Sequence, residues 1–392
     1  MYEDYINLIN LNKKYDFSNL QVYDVTLRDG EQTPYVAFSI EEKKNIAKIL
    51  KELGFKYIEA GFPAASDDEF FSVKEIVDLN LGIDVYAFSR LNKKDIDLAI
   101  NCGVKHLVLF LPGTDIHLKN KLKLSFDEAL IKLKESIAYA KQKDLFVRFG
   151  CEDASRTSYE QLIKLYQAAI SEGVDMVTFA DTLGIMTPLS MYKVIKDLKK
   201  DLNIPLAVHC HNDYGLGLAN TISAIEAGID QVHVSLNGLG ERSGNVSFEE
   251  LIITLLIQFK TDLGFSTKKI YEISKKIYSI ANLPTPYNKP IIGETAFQHE
   301  SGIHVQGIMA DVRTYQPFPP ELVGRENEII LGKHSGISNV KYILSRNIDK
   351  IYSEECLTEA VSVIKKRALE KKATKKEDLI IILDELEKKY NK

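Results

Sequence analysis

Two histidines separated by one residue, His209 and His211, are the sharpest chemical signal in this chain. Side chains alternate along a strand, so in an extended run both imidazoles face one way and Cys210 the other. Two nitrogens on one face form a clamp for a divalent metal. A carboxylate from another strand, Asp29, would complete a His₂-carboxylate set with positions left open, and Asn245 would add a weak oxygen ligand. Taken alone, the same pair also reads as two structural histidines. Arg28, beside Asp29, presents a fork of donors suited to a carboxylate or a developing alkoxide; a surface ion pair is its competing reading. Glu152 serves equally well as a polar brace or as an acid/base. Asp153, Asp213 and Glu241 read as supporting charges on a rim, and His106 and His233 as satisfied histidines inside strands. Cys151 and Cys210 read as packed thiols, and the charge run at 365–372 as a solvated helical face.

These residues need a scaffold that gathers distant segments. Short β-rich runs occupy residues 22–26, 57–60, 84–88, 106–111, 146–150, 176–180, 206–210 and 231–236. Amphipathic stretches such as 40–53, 127–143, 159–172 and 189–202 lie between them, and several end at a glycine: Gly54, Gly103, Gly173, Gly228. Strands alternating with helices predict a parallel sheet, and eight of them predict a closed (β/α)8 TIM barrel. A doubly wound open sheet competes, but no GxGxxG follows the first strand. In a barrel the site lies at the C-terminal strand ends, where Arg28, Asp29, Glu152, Thr182, His209, His211 and Asn245 are expected. After residue 262 the pattern changes. A helix at 268–281 leads to Pro284, Pro286 and Pro290, then to a Gly- and Pro-punctuated stretch, and a tail from Ser338 reads as three short helices. The expected organisation is a barrel with its N-terminal extension and trailing helices at 1–282, a linker subdomain at 283–336 and a helical subdomain at 337–392.

The chain has 392 residues, 45% hydrophobic and 27% charged, the balance of an ordinary globular protein. A net charge of -5 argues against nucleic acid as a partner. Residues 1–20 lack the regions of a signal peptide, and no apolar run approaches the ~20 residues that span a bilayer. The four cysteines form no CxxC pair, which argues against a zinc ribbon or a disulfide framework. A cytoplasmic protein without a membrane partner is expected.

The motifs resemble a known family. Asp24-x-x-Leu27-Arg28-Asp29-Gly30-Glu31-Gln32 is similar to the signature of the DRE-TIM metallolyase superfamily. His209-Cys210-His211-Asn212-Asp213, and Asn237-Gly238-Leu239-Gly240-Glu241-Arg242 with Gly244-Asn245, resemble the homocitrate, isopropylmalate and citramalate synthases. Glu59-Ala60-Gly61-Phe62-Pro63-Ala64, Glu152-Asp153-Ala154-Ser155-Arg156, Ser301-Gly302-Ile303-His304 and Leu331-Gly332-Lys333-His334-Ser335-Gly336 agree, in the same order along nearly the whole chain.

The resemblance implies an acyltransferase that condenses acetyl-CoA with a 2-oxo acid and then hydrolyses the thioester. It implies one divalent ion (zinc, manganese or magnesium) on Asp29, His209 and His211, with Asn245 at or near it. Arg28 would contact the keto oxygen and Thr182 the carboxylate of the 2-oxo acid. Glu152 and His304 would handle protons, with Tyr315 assisting. The residues alone would make His304 a loop histidine; the family carries it to a partner subunit's site, so a homodimer with shared active sites is expected. Gln306 stands where many relatives have Asp, and Gly113-Thr114 where many have Thr-Ser. No leucine-responsive C-terminal domain is expected. Phe179-Ala180-Asp181-Thr182, residues 148–156 and Pro112-Gly113-Thr114-Asp115 favour homocitrate synthesis from 2-oxoglutarate, with 2-isopropylmalate or citramalate synthesis as alternatives. The arginine that lysine-pathway enzymes place near Leu118 for the distal carboxylate is missing, and Arg90, His117 or Lys119 are the expected substitutes. A C–C lyase or aldolase, which would lack the post-barrel motifs, and a silent ligand-binding regulator are the readings from other classes.

Overall fold

The computed structural model describes residues 16–347 and 350–390. The chain forms two compact units, one ending at Pro284 and the other beginning at Thr285. The first is a closed barrel of eight parallel strands in sequence order: β1 (Gln21–Asp24), β2 (Tyr57–Gly61), β3 (Asp84–Ser89), β4 (His106–Pro112), β5 (Phe146–Glu152), β6 (Met176–Asp181), β7 (Leu206–Cys210) and β8 (Gln231–Val234). Closure comes from β1 pairing with β8 in the register Gln21–Gln231 to Asp24–Val234.

The outer helices are α1 (Ile40–Leu53), α2 (Asp67–Asp78), α3 (Lys93–Asn101), a single turn α4 (Asp115–His117), α5 (Phe126–Lys141), α6 (Tyr159–Ser171), α7 (Pro188–Asp201), α8 (Gly217–Glu226), α9 (Phe248–Gln258) and α10 (Ile270–Ile280). Their starts are written in the sequence. Ser39, Ser66, Asn92, Ser125, Ser158 and Thr187 each accept a backbone N–H from the first turn, which stabilises a helix by about 1 kcal/mol per cap. Ser39 with Glu42, and Ser125 with Glu128, complete capping boxes. The inner faces of these helices bury Ile46, Leu50, Leu133, Ile137, Leu165 and Ile195 against the strands.

The strand limits differ from expectation by two residues at three ends. β1 stops at Asp24 because the Asp24 carboxylate accepts from the Thr26 backbone N–H and hydroxyl and turns the chain. β5 runs on to Glu152, which places that side chain on the barrel's inner face. β8 stops at Val234 because the chain turns at Asn237, whose φ is 61°.

In the second unit, β9 (Gln298–His299) and β10 (Glu328–Ile329) pair in parallel. Around them are α11 (Gly302–Ala310), α12 (Ile337–Asn347), α13 (Glu354–Leu369) and α14 (Lys376–Tyr390). One apolar cluster, including Val340, Leu357, Ile364, Leu379 and Leu383, packs the last three helices together. The stretches expected as a linker and a helical subdomain therefore form one compact unit.

Candidate active site

The strands deliver the predicted chemistry to one cavity of about 750 Å³ at the C-terminal ends of the barrel, lined by Arg28, Asp29, Glu152, Thr182, His209 and His211, among others. The Nε2 atoms of His209 and His211 face each other at 3.2 Å. Asp29 Oδ2 lies 3.6 Å from His209 Nε2 and 3.9 Å from His211 Nε2, and all three side chains are buried. Bonds of about 2.1 Å from one ion would set its donors roughly 3.0–3.4 Å apart, so this group needs only slight contraction to hold a divalent metal. Burial, then the neighbouring His211, depresses the basicity of His209; burial does the same to His211 against the pull of Asp29. Both rings are therefore neutral and have lone pairs for an ion. Burial opposes ionisation of Asp29, but the Arg28 cation, His209, His211 and the hydrogen bond from Asn245 together outweigh it and hold the carboxyl below the usual range. Asn245 Nδ2 donates to Asp29 Oδ1 at 3.1 Å and to the Leu239 carbonyl at 3.0 Å. Asn245 Oδ1 is buried with no hydrogen-bond partner, as befits an oxygen beside a metal group.

Arg28 is set by two carboxylates. Its Nη1 meets Asp29 Oδ2 at 2.8 Å, its Nε binds Glu59 on β2, and the guanidinium lies 4.5 Å above the Phe88 ring. Burial opposes the charge on Arg28, and Glu59 with Asp29 more than restores it. Glu59 is itself positioned by the Tyr23 hydroxyl, which donates to it at 2.8 Å. The loop after β8 must pass close to itself: Gly244 has φ 86°, and a Cβ there would stand 2.1 Å from the Gly238 carbonyl oxygen. No other residue fits that crossing, which brings Asn245 back beside Asp29.

Glu152 binds Lys121 Nζ at 2.8 and 3.0 Å, and Lys121 lines the same cavity. Thr182 Oγ1 accepts from the Asp153 backbone N–H at 2.8 Å, which leaves its own proton free to be donated. His117 is held by Thr114 Oγ1 at 2.9 Å and lies 3.2 Å from Asp153 Oδ2, while Arg90 pairs with Asp95 at 2.6 Å and lines a second cavity. Lys119 pairs with Asp115 on the surface. His304, on α11, and Tyr315 belong to the second unit, where their rings stack at 4.1 Å.

Sequence reasoning missed the most unusual side chain in the cavity. Arg148, in the middle of β5, is fully buried, and no carboxylate lies within ion-pairing distance of it among the described residues. Its Nη1 donates to His233 Nε2 at 3.0 Å, its Nη2 to Gln231, and its Nε has no partner. The guanidinium lies 3.9 Å over the Tyr23 ring and 4.8 Å from that of Tyr86. The available signal was parity: residues 148, 150 and 152 share one face of β5, so Arg148 points where Glu152 points. Gly150 lies between them, and a Cβ there would meet nothing closer than the Leu109 carbonyl at 3.9 Å.

The HMGL-like family model matches residues 19–277, and the model described as homocitrate synthase post-HMGL domain-like matches residues 291–372. This chain belongs to the HMGL-like/homocitrate synthase family. It is a condensing enzyme of the acyltransferase type, and the match at 291–372 covers the post-barrel region on which the lyase reading turned. The chain is 45% identical over 338 residues to homocitrate synthase AksA of Methanothermobacter thermautotrophicus, covering 86% of each chain. It is 46% identical over 315 residues to 2-isopropylmalate synthase of Methanocaldococcus jannaschii, covering 80% of this chain but 61% of that protein. Among solved structures, the Bacillus subtilis HMG-CoA lyase superposes with a TM-score of 0.61 at 25% identity, over 68% of this chain and 95% of the lyase. No helix among the described residues is long and apolar enough to cross a membrane.

Proposed function

We propose that this enzyme condenses acetyl-CoA with 2-oxoglutarate and, with one water, yields homocitrate and free CoA. The observation that carries the choice of 2-oxo acid is Arg148. A guanidinium buried without a counter-ion is costly unless something else neutralises it, and Arg148 lines the substrate cavity with its Nε unpartnered. A second carboxylate at the far end of the 2-oxo acid supplies that charge; an isopropyl or methyl group leaves it bare.

A divalent ion on Asp29, His209 and His211, with zinc, manganese and magnesium all compatible with these ligands, would polarise the ketone of the 2-oxo acid. Arg28, fixed by Asp29 and Glu59, stands where charge builds on the ketone oxygen and stabilises it without reorganising. The free Thr182 hydroxyl proton serves the carboxylate next to the ketone. Glu152, anchored by Lys121 and lining the cavity, is positioned to take a proton from the acetyl methyl group. His304 and Tyr315, stacked on one another, would deliver further proton handling from a second copy of the chain in a homodimer.

Replacing Arg148 tests the reading. Arg148→Met should lower kcat/KM for 2-oxoglutarate by roughly 100-fold, because a charged hydrogen bond is lost, while turnover of 2-oxopentanoate holds or rises. Undiminished use of 2-oxoglutarate by this variant would refute the assignment. The relatives named 2-isopropylmalate synthase support 2-oxoisovalerate as the second reading.

A further inference from the structure

One side chain joins the metal group to the buried arginine. Arg148 Nη1 lies 3.0 Å from His233 Nε2, and His233 Nδ1 lies 3.3 Å from His209 Nδ1. On its other edge, His209 presents Nε2 to His211 and Asp29. A guanidinium only donates, so His233 Nε2 must accept. With Nε2 accepting, the proton of the ring is on Nδ1 and points at His209. His209 Nδ1 is then bare, and the one proton of that ring sits on Nε2, the atom a metal needs as a lone pair.

A ligating His209 has the opposite arrangement. Its proton is on Nδ1 and is donated to His233 Nδ1. His233 must then carry its own proton on Nε2, facing a guanidinium that also donates. Donor opposes donor, and Arg148 has to release the bond.

We propose that His233 is a positioning residue that couples the two ends of the substrate: metal on His209 and the bond from Arg148 to His233 exclude each other, so a distal carboxylate that offers the released guanidinium a new acceptor tightens the metal. Each ring keeps one proton throughout; that of His209 moves from Nε2 to Nδ1, and that of His233 from Nδ1 to Nε2. Gln231 and the rings of Tyr23 and Tyr86 continue to hold the guanidinium while one of its donors changes partner. The inference rests on 2-oxoglutarate being the substrate. It adds that the diacid is selected partly through the metal, since coupling between two ligands is reciprocal.

The test measures Mn²⁺ affinity by titration calorimetry on the full chain without acetyl-CoA, so nothing turns over. Affinity is compared in the absence of acid and at saturating 2-oxoglutarate or 2-oxopentanoate, which share the chelating head and the chain length. The relay predicts that 2-oxoglutarate tightens Mn²⁺ about tenfold more than 2-oxopentanoate does. In His233→Phe, which keeps a ring but no nitrogen, the two acids should tighten it equally within about twofold. Equal tightening in the unmodified protein, or an undiminished difference in the variant, overturns the relay. Independently of any variant, the ¹⁵N spectrum of the histidine-labelled protein should show the His233 proton on Nδ1 without metal and on Nε2 with Zn²⁺; one tautomer in both states overturns it too. If 2-oxoglutarate binds and condenses but the tightening is equal, the relay alone fails. If it neither binds nor condenses, the substrate assignment fails and the relay falls with it.

Discussion

Asp24 lies at the end of β1 with no exposure to solvent, and burial pushes its carboxyl up to about 8 against the hydrogen bonds from Thr26. In the unfolded chain the same group titrates near 3.9. Between those values the native state holds a proton that the unfolded state has lost, so stability falls as pH rises from about 4 to about 8 and is flat above. Asp24→Asn removes that slope. Calorimetric Tm values should show the variant gaining on the wild type between pH 5 and pH 8; parallel changes would contradict the burial argument. Arg28 makes a different demand. Arg28→Lys should keep its metal but lose most of kcat with a smaller rise in KM, because an ammonium cannot serve Glu59, Asp29 and the ketone oxygen together. Near-normal kcat with bound metal measured alongside would make Arg28 an ion-pair residue only. At this scale Asp29, His209 and His211 were legible because metal ligation demands particular residue types at a fixed parity. Arg148 was not. An arginine inside an apolar strand reads as an anomaly until the barrel closes, and Tyr23, Tyr86 and His233 arrive from three other strands to surround it.

At the scale of elements, the eight strands and their helices could be read directly, since alternation of β-rich and amphipathic segments is a local pattern and six of the helix starts carry their own caps. The loops were harder. The turn after β8 depends on Asn237 in the left-handed region and on Glu249, whose carboxylate accepts from the Asn237 N–H at 2.9 and 3.0 Å, twelve residues away. No periodicity announces such a bond. The same scale explains why Gly150 stands between Arg148 and Glu152. Its absent side chain leaves the inner face of β5 open along the line a diacid would occupy. Gly150→Ala fits the fold, because its Cβ would make ordinary contacts only. Steady-state kinetics should show a KM for 2-oxoglutarate raised several-fold with kcat much less affected. An unchanged KM would mean that the substrate does not pass over β5.

At the scale of the whole molecule, the proposed reaction draws on residues from two units. Arg28, Asp29, Glu152, His209 and His211 belong to the barrel, whereas His304 and Tyr315 belong to the unit that begins at Thr285. The second unit begins in a stretch punctuated by Pro284, Pro286 and Pro290, but proline spacing says nothing about which copy of the barrel His304 and Tyr315 would act on. A closed two-fold dimer is the commonest assembly, and it would let each His304 act on its neighbour. Co-expressed Asp29→Ala and His304→Ala chains, each inactive alone, should then recover activity in mixed dimers, because one of the two sites holds both residues; verified mixed dimers without activity would show that each chain completes its own site. The proposed reaction is checked by measuring CoA release from acetyl-CoA by the metal-loaded protein with 2-oxoglutarate, 2-oxoisovalerate and pyruvate in turn. The highest kcat/KM is expected with 2-oxoglutarate, with homocitrate as the product; a higher value with either monocarboxylic acid would overturn 2-oxoglutarate as the substrate.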